Sequence, residues 1–186
     1  MKRGLFVVIE ALDGVGKTTL VRDLAVALGG LALDTPGEQI RPIRSAVLDA
    51  LGDDQVARCL FYAATVIAQG RRARELADRG ATVVMDRYWG STISYARARG
   101  VAVDLSTIGG SAAAPDATVL VTLDETERVG RLIGRGDMTP ADVETLDSAF
   151  RATVLRHLRE VANVEVDITG ADRKEAVARV CRALPL

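Results

Sequence analysis

Leu5-Phe-Val-Val-Ile-Glu-Ala-Leu-Asp-Gly-Val-Gly-Lys-Thr-Thr19 is the stretch from which the rest of the chain can be read. Leu5 to Ile9 is an unbroken apolar run rich in β-branched side chains, which suits a strand covered on both faces in a parallel sheet. Asp13, Gly14, Val15 and Gly16 follow, and then Lys17, Thr18 and Thr19. From Thr18 onward, Leu20, Val21, Leu24, Ala25 and Leu28 recur at helical spacing. Strand, glycine-bearing turn, Lys-Thr and helix together describe a phosphate-binding loop. Glycines let the backbone curl until several N–H groups face one anion, and the helix N-terminus adds the positive end of its dipole. In such a loop Lys17 reaches the β- and γ-phosphates of ATP, and the Thr18 hydroxyl sits on Mg²⁺. The first glycine of the G-x-x-x-x-G-K-[ST] signature falls at Ala11, which the loop tolerates if the backbone angles there are ordinary.

A length of 186 residues suggests one domain, 1–186, with a real core. The composition is 48% apolar and 26% charged, an ordinary soluble profile. A formal net charge of −1 argues against a general nucleic-acid or membrane-surface binder, so anion binding must come from local sites. Cys59 and Cys181 stand far apart in apolar helical contexts and read as buried, inert thiols. The basic start before Leu5 could pass for the head of a signal peptide, but Glu10 and Asp13 interrupt it. No stretch is long enough to span a bilayer, and a cytoplasmic enzyme is the expectation.

Gly29-Gly30 stops the first helix, and Leu31 to Asp34 reads as a second strand, followed by a Thr35-Pro36-Gly37 turn. Glu38 to Leu51 and Gln55 to Arg79 carry helical periodicity, the latter with Gly70 as a candidate bend. Ala81 to Met85 is a third strand, Tyr88 to Arg99 a helix, and Val101 to Pro115 a loop with room for one helical turn. The fourth strand lies within Asp116 to Leu123. Helices over Glu125–Ile133 and Ala141–Val161, a strand over Val164–Ile168 and a helix over Ala171–Leu184 complete the chain. The alternation predicts an α/β fold in three layers, a five-stranded parallel sheet flanked by helices.

A second signal is Val83-Val-Met-Asp-Arg-Tyr88, an apolar strand that ends in a carboxylate. Next to a phosphate-binding loop, Asp86 is a candidate Mg²⁺ ligand or proton acceptor, and Arg87 a phosphate clamp. Glu10-Ala-Leu-Asp-Gly-Val-Gly-Lys-Thr-Thr19, Leu60-Phe-Tyr-Ala-Ala64, Asp86-Arg-Tyr-Trp-Gly-Ser-Thr-Ile-Ser-Tyr95 and Pro115-Asp-Ala-Thr-Val-Leu-Val-Thr-Leu-Asp124 together resemble the thymidylate kinases, over essentially the whole chain. The resemblance implies a P-loop kinase fold, usually dimeric, that moves the γ-phosphoryl of ATP to a nucleoside monophosphate with Mg²⁺. It gives site roles to Asp13, Lys17, Thr18, Asp86 and Arg87, puts Ser91 and Tyr95 in the acceptor pocket, and matches Phe61 to the aromatic that stacks on the acceptor base. It also implies that adenine is held near Thr169 to Asp172, mainly by backbone.

The chain departs from the family where the acceptor binds. The usual Arg-Glu-Pro-Gly reads Asp34-Thr-Pro-Gly37, and the arginine after the Phe-x-Ala-x segment is Thr65. The acceptor is therefore either a nucleoside monophosphate or a nucleoside or other specialised small molecule. Arg71, Arg72 and Arg74 are candidate substitutes, although a solvated basic face is the more ordinary reading. Arg128, Arg131 and Arg135 recur at helical spacing and lead into Asp137 and a polar loop, so about 128–142 reads as a short lid. Arg131 and Arg135 are its candidate catalytic arginines. Trp89 reads as core, and His157, the one histidine, has no triad partner in the pattern. A guanine-binding switch would need Asn-Lys-x-Asp, whereas the one asparagine, Asn163, precedes Val164, so an ATPase or switch is the weaker class.

Overall fold

The computed structural model describes residues 3–185. The strands are β1 (Phe6–Glu10), β2 (Leu31–Asp34), β3 (Val83–Asp86), β4 (Ala117–Thr122) and β5 (Val164–Asp167), all parallel in the order β2-β3-β1-β4-β5. The chain leaves β1 for the edge, returns through β3, and then crosses β1 to reach β4, which is the reversal that opens a crevice at the carboxyl ends of the strands. The register stacks Ile9 and Asp34 on either side of Asp86, so the polar strand ends of β2 and β3 meet at that crevice.

Strand alternation sorts the apolar run into two faces. Val7 and Ile9 join Leu20, Val21 and Leu24 of α1 (Lys17–Ala27), Val154 and Leu158 of α8 (Ser148–Val161) and Val180 of α9 (Arg173–Ala183). Phe6 and Val8, one residue out of phase, join Val83, Met85 and Tyr88 with Val66, Ala73 and Ala77 of α3 (Gln55–Asp78). β1 is buried along its whole length, as its lack of polar alternation requires. The remaining helices are α2 (Arg44–Ala50), α4 (Trp89–Ala98), α5 (Ser106–Gly109), α6 (Glu125–Arg135) and α7 (Pro140–Glu144).

Several boundaries differ from the sequence reading. The helix expected over Glu38–Leu51 begins only at Arg44, after a 3₁₀ turn at Arg41–Ile43 that Pro42 favours. The helix expected over Ala141–Val161 is two helices, because Asp147 turns its carboxylate onto the Phe150 N–H and caps a new start. Thr139 and Asp142 form a reciprocal capping box at the start of α7. Gly70 marks a close approach inside an unbroken α3, since a Cβ there would lie 1.8 Å from the Tyr88 hydroxyl. Cys59 is buried, while Cys181 is only half-buried.

Candidate active site

β1 runs out into a loop whose curl is set by Gly14 (φ 88°) and Gly16 (φ 89°), the latter standing at the N-cap of α1. Both glycines occupy the left-handed region that side chains avoid. Ala11 lies outside that region and is fully buried, which is why the missing first glycine does no harm. Lys17 emerges from the first turn of α1 and is almost wholly buried, with Nζ 3.2 Å from Asp86 Oδ1. Burial, and then the nearby Arg87, push the ammonium below its ordinary range, while Asp86 and Asp13 pull the other way. The Thr18 hydroxyl donates to Asp86 Oδ2 at 2.7 Å. Thr19 is exposed on the same turn, and Val15 is buried.

A hydroxyl and a carboxylate at the mouth of a phosphate-binding loop are hard oxygen donors of the kind Mg²⁺ takes together with substrate phosphates. Apart from the Lys17 ammonium at 3.2 Å, buried Asp86 Oδ1 has no partner among the described residues, which leaves it a lone pair for such an ion. Thr18 and Asp86 therefore fit Mg²⁺. Among the described residues no group of three or more His, Cys, Asp or Glu could hold a metal alone.

Arg87 follows β3 with φ 62°, a strained conformation for a side chain as large as arginine. The turn aims its guanidinium back over the loop, where it meets Asp13 Oδ1 at 2.5 Å and Ser91 Oγ at 2.9 Å and lies over the Tyr95 ring at 5.5 Å. Asp13 pays for its own burial through Arg87 and Lys17, which hold its carboxyl below the usual range. Burial pushes the Tyr95 phenol up to about 12, so it stays neutral.

Beneath this cluster lies Glu10, fully buried at the end of β1. It accepts from the backbone N–H groups of Tyr88 and Ser91, both at 3.0 Å, and from Ser91 Oγ. Burial raises its carboxyl above the ordinary range, against the pull of those hydrogen bonds and of Arg87. Glu10 thus ties the donor loop to the start of α4, a role the sequence reading did not assign although the residue opens the quoted motif.

A cavity of about 650 Å³ extends from this cluster. Asp13, Lys17, Thr18, Asp86, Arg87, Ser91, Tyr95 and Arg135 all line it. Phe61 does not; its neighbour Tyr62 does. A helix turns about 100° per residue, and the cavity stripe of α3 runs through Gln55, Arg58, Cys59, Tyr62 and Val66, which excludes position 61. Thr65 spends its hydroxyl on the Tyr62 carbonyl at 2.8 Å, within its own helix. Arg71 and Arg72 are exposed, and Arg74 lies by the start of β4, bound to Asp116 and the Ala114 carbonyl, so none of the three replaces the missing arginine. Besides Lys17, Arg22, Arg87 and Arg135, the cavity is lined by the cations Arg41, Arg44, Arg58 and Arg99. Arg41 pairs with Asp34 at 2.5 Å, and Arg44 donates to the Tyr62 hydroxyl at 2.9 Å. Arg99 grips Glu144 with two bonds of 2.9 and 2.6 Å. Arg41 and Arg44 flank the start of α2, Arg58 lies in α3 and Arg99 just past α4, so the set is scattered along the chain.

In the segment 128–142 the three arginines have separate surroundings. Arg128 is 1% exposed and bonds Glu125, Thr145 and the Asp13 carbonyl, so it is a structural strut. Arg131 donates to the Val15 carbonyl at 2.8 Å and pairs with Glu127, beside Gly16. Arg135 pairs with Asp142 and faces the cavity. Thr169 and Gly170 meet Asp124 and Glu127 across the rim of the loop, so β5 closes that side.

The sequence profile described as thymidylate kinase matches residues 9–178. A thymidylate kinase of Xylella fastidiosa (strain M23) is 33% identical over 166 residues, covering 80% of this chain and 71% of the relative. One from Xanthomonas euvesicatoria pv. vesicatoria (strain 85-10) is 30% identical, covering 97% and 83%. The thymidylate kinase structure from Candida albicans matches with a TM-score of 0.75 at 22% identity, over 97% of this chain and 90% of that one, a likeness of fold. A lysine-threonine loop facing an aspartate-arginine strand end, on a sheet of this order and within a profile match of nearly full length, leaves one assignment: the chain belongs to the thymidylate kinase family.

Proposed function

We propose that dTMP is the acceptor of this chain, an ATP-dependent nucleotide kinase that phosphorylates a nucleoside monophosphate, and that the residues gathered around Lys17 and Arg87 carry the transfer. The reading is carried by the meeting of Lys17, Thr18, Asp86 and Arg87 at the mouth of one cavity. Phosphoryl transfer needs alignment and charge neutralisation more than covalent help. The loop backbone from Asp13 to Thr19 cradles the triphosphate, and Lys17 holds its β- and γ-phosphates. Thr18 and Asp86 would hold Mg²⁺, which would supply neutralisation of phosphate charge. Arg87, fixed by Asp13 and Ser91, orients the acceptor phosphate, and Tyr95 floors the pocket. Arg131 and Arg135, on a lid spanning about 128–142, add positive charge as the phosphoryl group moves and help exclude water.

Asp34 and Thr65 stand where the family carries charged groups, an observation that favours a nucleoside or another small hydroxyl compound as the second reading. ADP release coupled to an NADH signal, run with dTMP, dUMP, thymidine and no acceptor, separates the cases. Turnover on dTMP is expected; turnover on thymidine alone, or ATP hydrolysis indifferent to acceptor, overturns the reading. A homodimer acting in the cytoplasm belongs to the same proposal. Among the described residues no helix is long and apolar enough to cross a membrane, and Val56 and Leu60 expose apolar surface on α3 that suits self-association. Light scattering at working concentration, expected at twice the chain mass, tests it.

A further inference from the structure

The segment from 136 to 147 carries α7, and Thr139, Ala141 and Asp142 in it line the cavity. Polar bonds hold it in place. None of its side chains joins the apolar clusters of the core, and Met138, Val143 and Leu146 are exposed. From α6, Arg128 takes the hydroxyl and carbonyl of Thr145, and Arg135 pairs with Asp142. From α8, Arg151 takes the same Thr145 carbonyl. On the acceptor side, among the described residues, the tie from α4 is Arg99, at the end of that helix. Its Nε and Nη2 fork onto the two oxygens of Glu144 at 2.9 and 2.6 Å. Two parallel charge-assisted bonds fix direction as well as distance. Both side chains are only partly exposed, so water screens the pair less than an open surface bridge.

The fork acts on more than its own two residues. Glu144 ends α7, and Asp142 stands two positions before it. Asp142 is 1% exposed, and its Oδ2 accepts from the Thr139 N–H, the Thr139 hydroxyl and Arg135. The other hold on Arg135 is the Asp137 carbonyl, 3.2 Å from Nε in the adjoining loop. The direction in which Arg135 faces the cavity is therefore set by α7, and the seat of α7 against the acceptor wall is set by Glu144. Arg99 also lies over the Tyr95 ring at 5.5 Å, the ring that Arg87 covers at the same distance. One chain of contacts thus runs from Arg87 past Tyr95, Arg99 and Glu144 to Asp142 and Arg135.

We propose that Glu144 is a positioning residue, whose fork to Arg99 fastens α7 to the wall of the acceptor cavity and so holds Arg135, through Asp142, where the phosphoryl group moves. The proposal rests on the reading that Arg135 supplies positive charge to the transfer. Without the fork, α7 keeps its tie at Thr145 but loses its seat at the other end. A guanidinium that wanders by about 1 Å gives up much of its hold on transition-state charge.

The test is steady-state kinetics with dTMP and ATP on wild type, Glu144→Gln, Arg135→Ala and the double variant, with a thermal melt and amide hydrogen exchange on each. Glu144→Gln keeps the side-chain volume and one acceptor oxygen, but turns an N–H donor toward the guanidinium. It should lower kcat and kcat/KM for dTMP alike, by about tenfold, and leave both KM values within about twofold. It should melt within about 4 °C of wild type and speed exchange over 140–144. In the Arg135→Ala background the same change should cost less than about twofold, because the arginine it positions is gone. A tenfold loss that persists in that background, a loss confined to KM, or a larger drop in melting temperature would give Glu144 a merely structural role and overturn the proposal. Unchanged kcat or unchanged exchange in Glu144→Gln would also overturn it. Wild type inactive on dTMP defeats the functional reading itself, and Arg135→Ala at the wild-type rate removes Arg135 from the transfer; either takes this inference with it. Wild type active and Arg135→Ala impaired, beside an unmoved Glu144→Gln, defeats only the role of Glu144.

Discussion

Replacing Lys17 by methionine removes the cation that faces Asp86 at 3.2 Å in a nearly dry site. At an effective dielectric constant of about 20, two unit charges at that separation attract by roughly 5 kcal/mol. Burial takes back much of this, as the depressed ammonium indicates. What remains after Lys17→Met is a buried carboxylate whose Oδ1 has no other partner. Breaking one side of a buried pair costs about 3–5 kcal/mol, whereas replacing both sides by neutral groups is close to neutral. For a domain of this size the single variant should melt roughly 10 °C lower. Adding Asp86→Asn should bring the melting temperature back to within about 4 °C of wild type, because Asn keeps an acceptor for Thr18. Catalysis should not follow. Lys17→Met should lose at least about 10²-fold in transfer, and the double variant should lose more. Differential scanning calorimetry and the coupled ADP assay on the four proteins of the cycle measure both quantities. Melting losses that add to within about 0.5 kcal/mol would refute the coupled pair, and turnover within tenfold of wild type in Lys17→Met would refute the donor-site assignment.

Three further outcomes follow from the same geometry. Arg87→Ala and Arg87→Gly should both lose acceptor turnover, but Gly relieves the φ of 62° and should be more stable by about 1 kcal/mol in urea unfolding; equal stabilities would remove the backbone-strain argument. Glu10 has its carboxyl raised by burial, so its contribution to stability is whole below about 4.5 and is lost as pH rises from there through the folded-state value. Glu10→Gln, which does not titrate, should therefore gain on wild type between pH 4.5 and 8, and a stability gap that stays flat across urea melts at both ends would contradict the buried-carboxyl picture. Tyr62→Ala should raise acceptor KM by an amount worth about 1 kcal/mol, while Phe61→Ala leaves it nearly unchanged; the reverse ranking would restore Phe61 as the stacking residue.

The sheet and the donor loop were legible because their signals are local. An unbroken apolar run, two glycines and Lys-Thr sit within fifteen consecutive positions, and Asp86 ends its own strand. The split between α7 and α8 was not read, although Asp147 three residues before Phe150 is a capping pattern, because the apolar period continues through the break. Phe61, matched to the stacking aromatic by resemblance, lies off the cavity lining where its neighbour Tyr62 stands, and a side chain's facing is read only once the opposing element is known. Arg41, Arg44, Arg58 and Arg99 escaped notice for a different reason. Each looks like a surface cation within its own segment, and only the folding of α2, α3 and α4 around one cavity makes them neighbours. The basic face at Arg71 and Arg72, by contrast, is solvated, as ordinary charge patterning predicts.

Arg128 makes the phosphate cradle a composite part. One buried guanidinium grips Glu125, the hydroxyl and carbonyl of Thr145, and the Asp13 carbonyl, so segments more than a hundred positions apart share a single fastening. Loosening any of them loosens the cradle. Variation at Thr145 or Glu125 would then surface in a library sorted for nucleotide retention, side by side with changes at Gly14 and Gly16, and a map of tolerated substitutions drawn from the loop alone would miss half of what sets its grip.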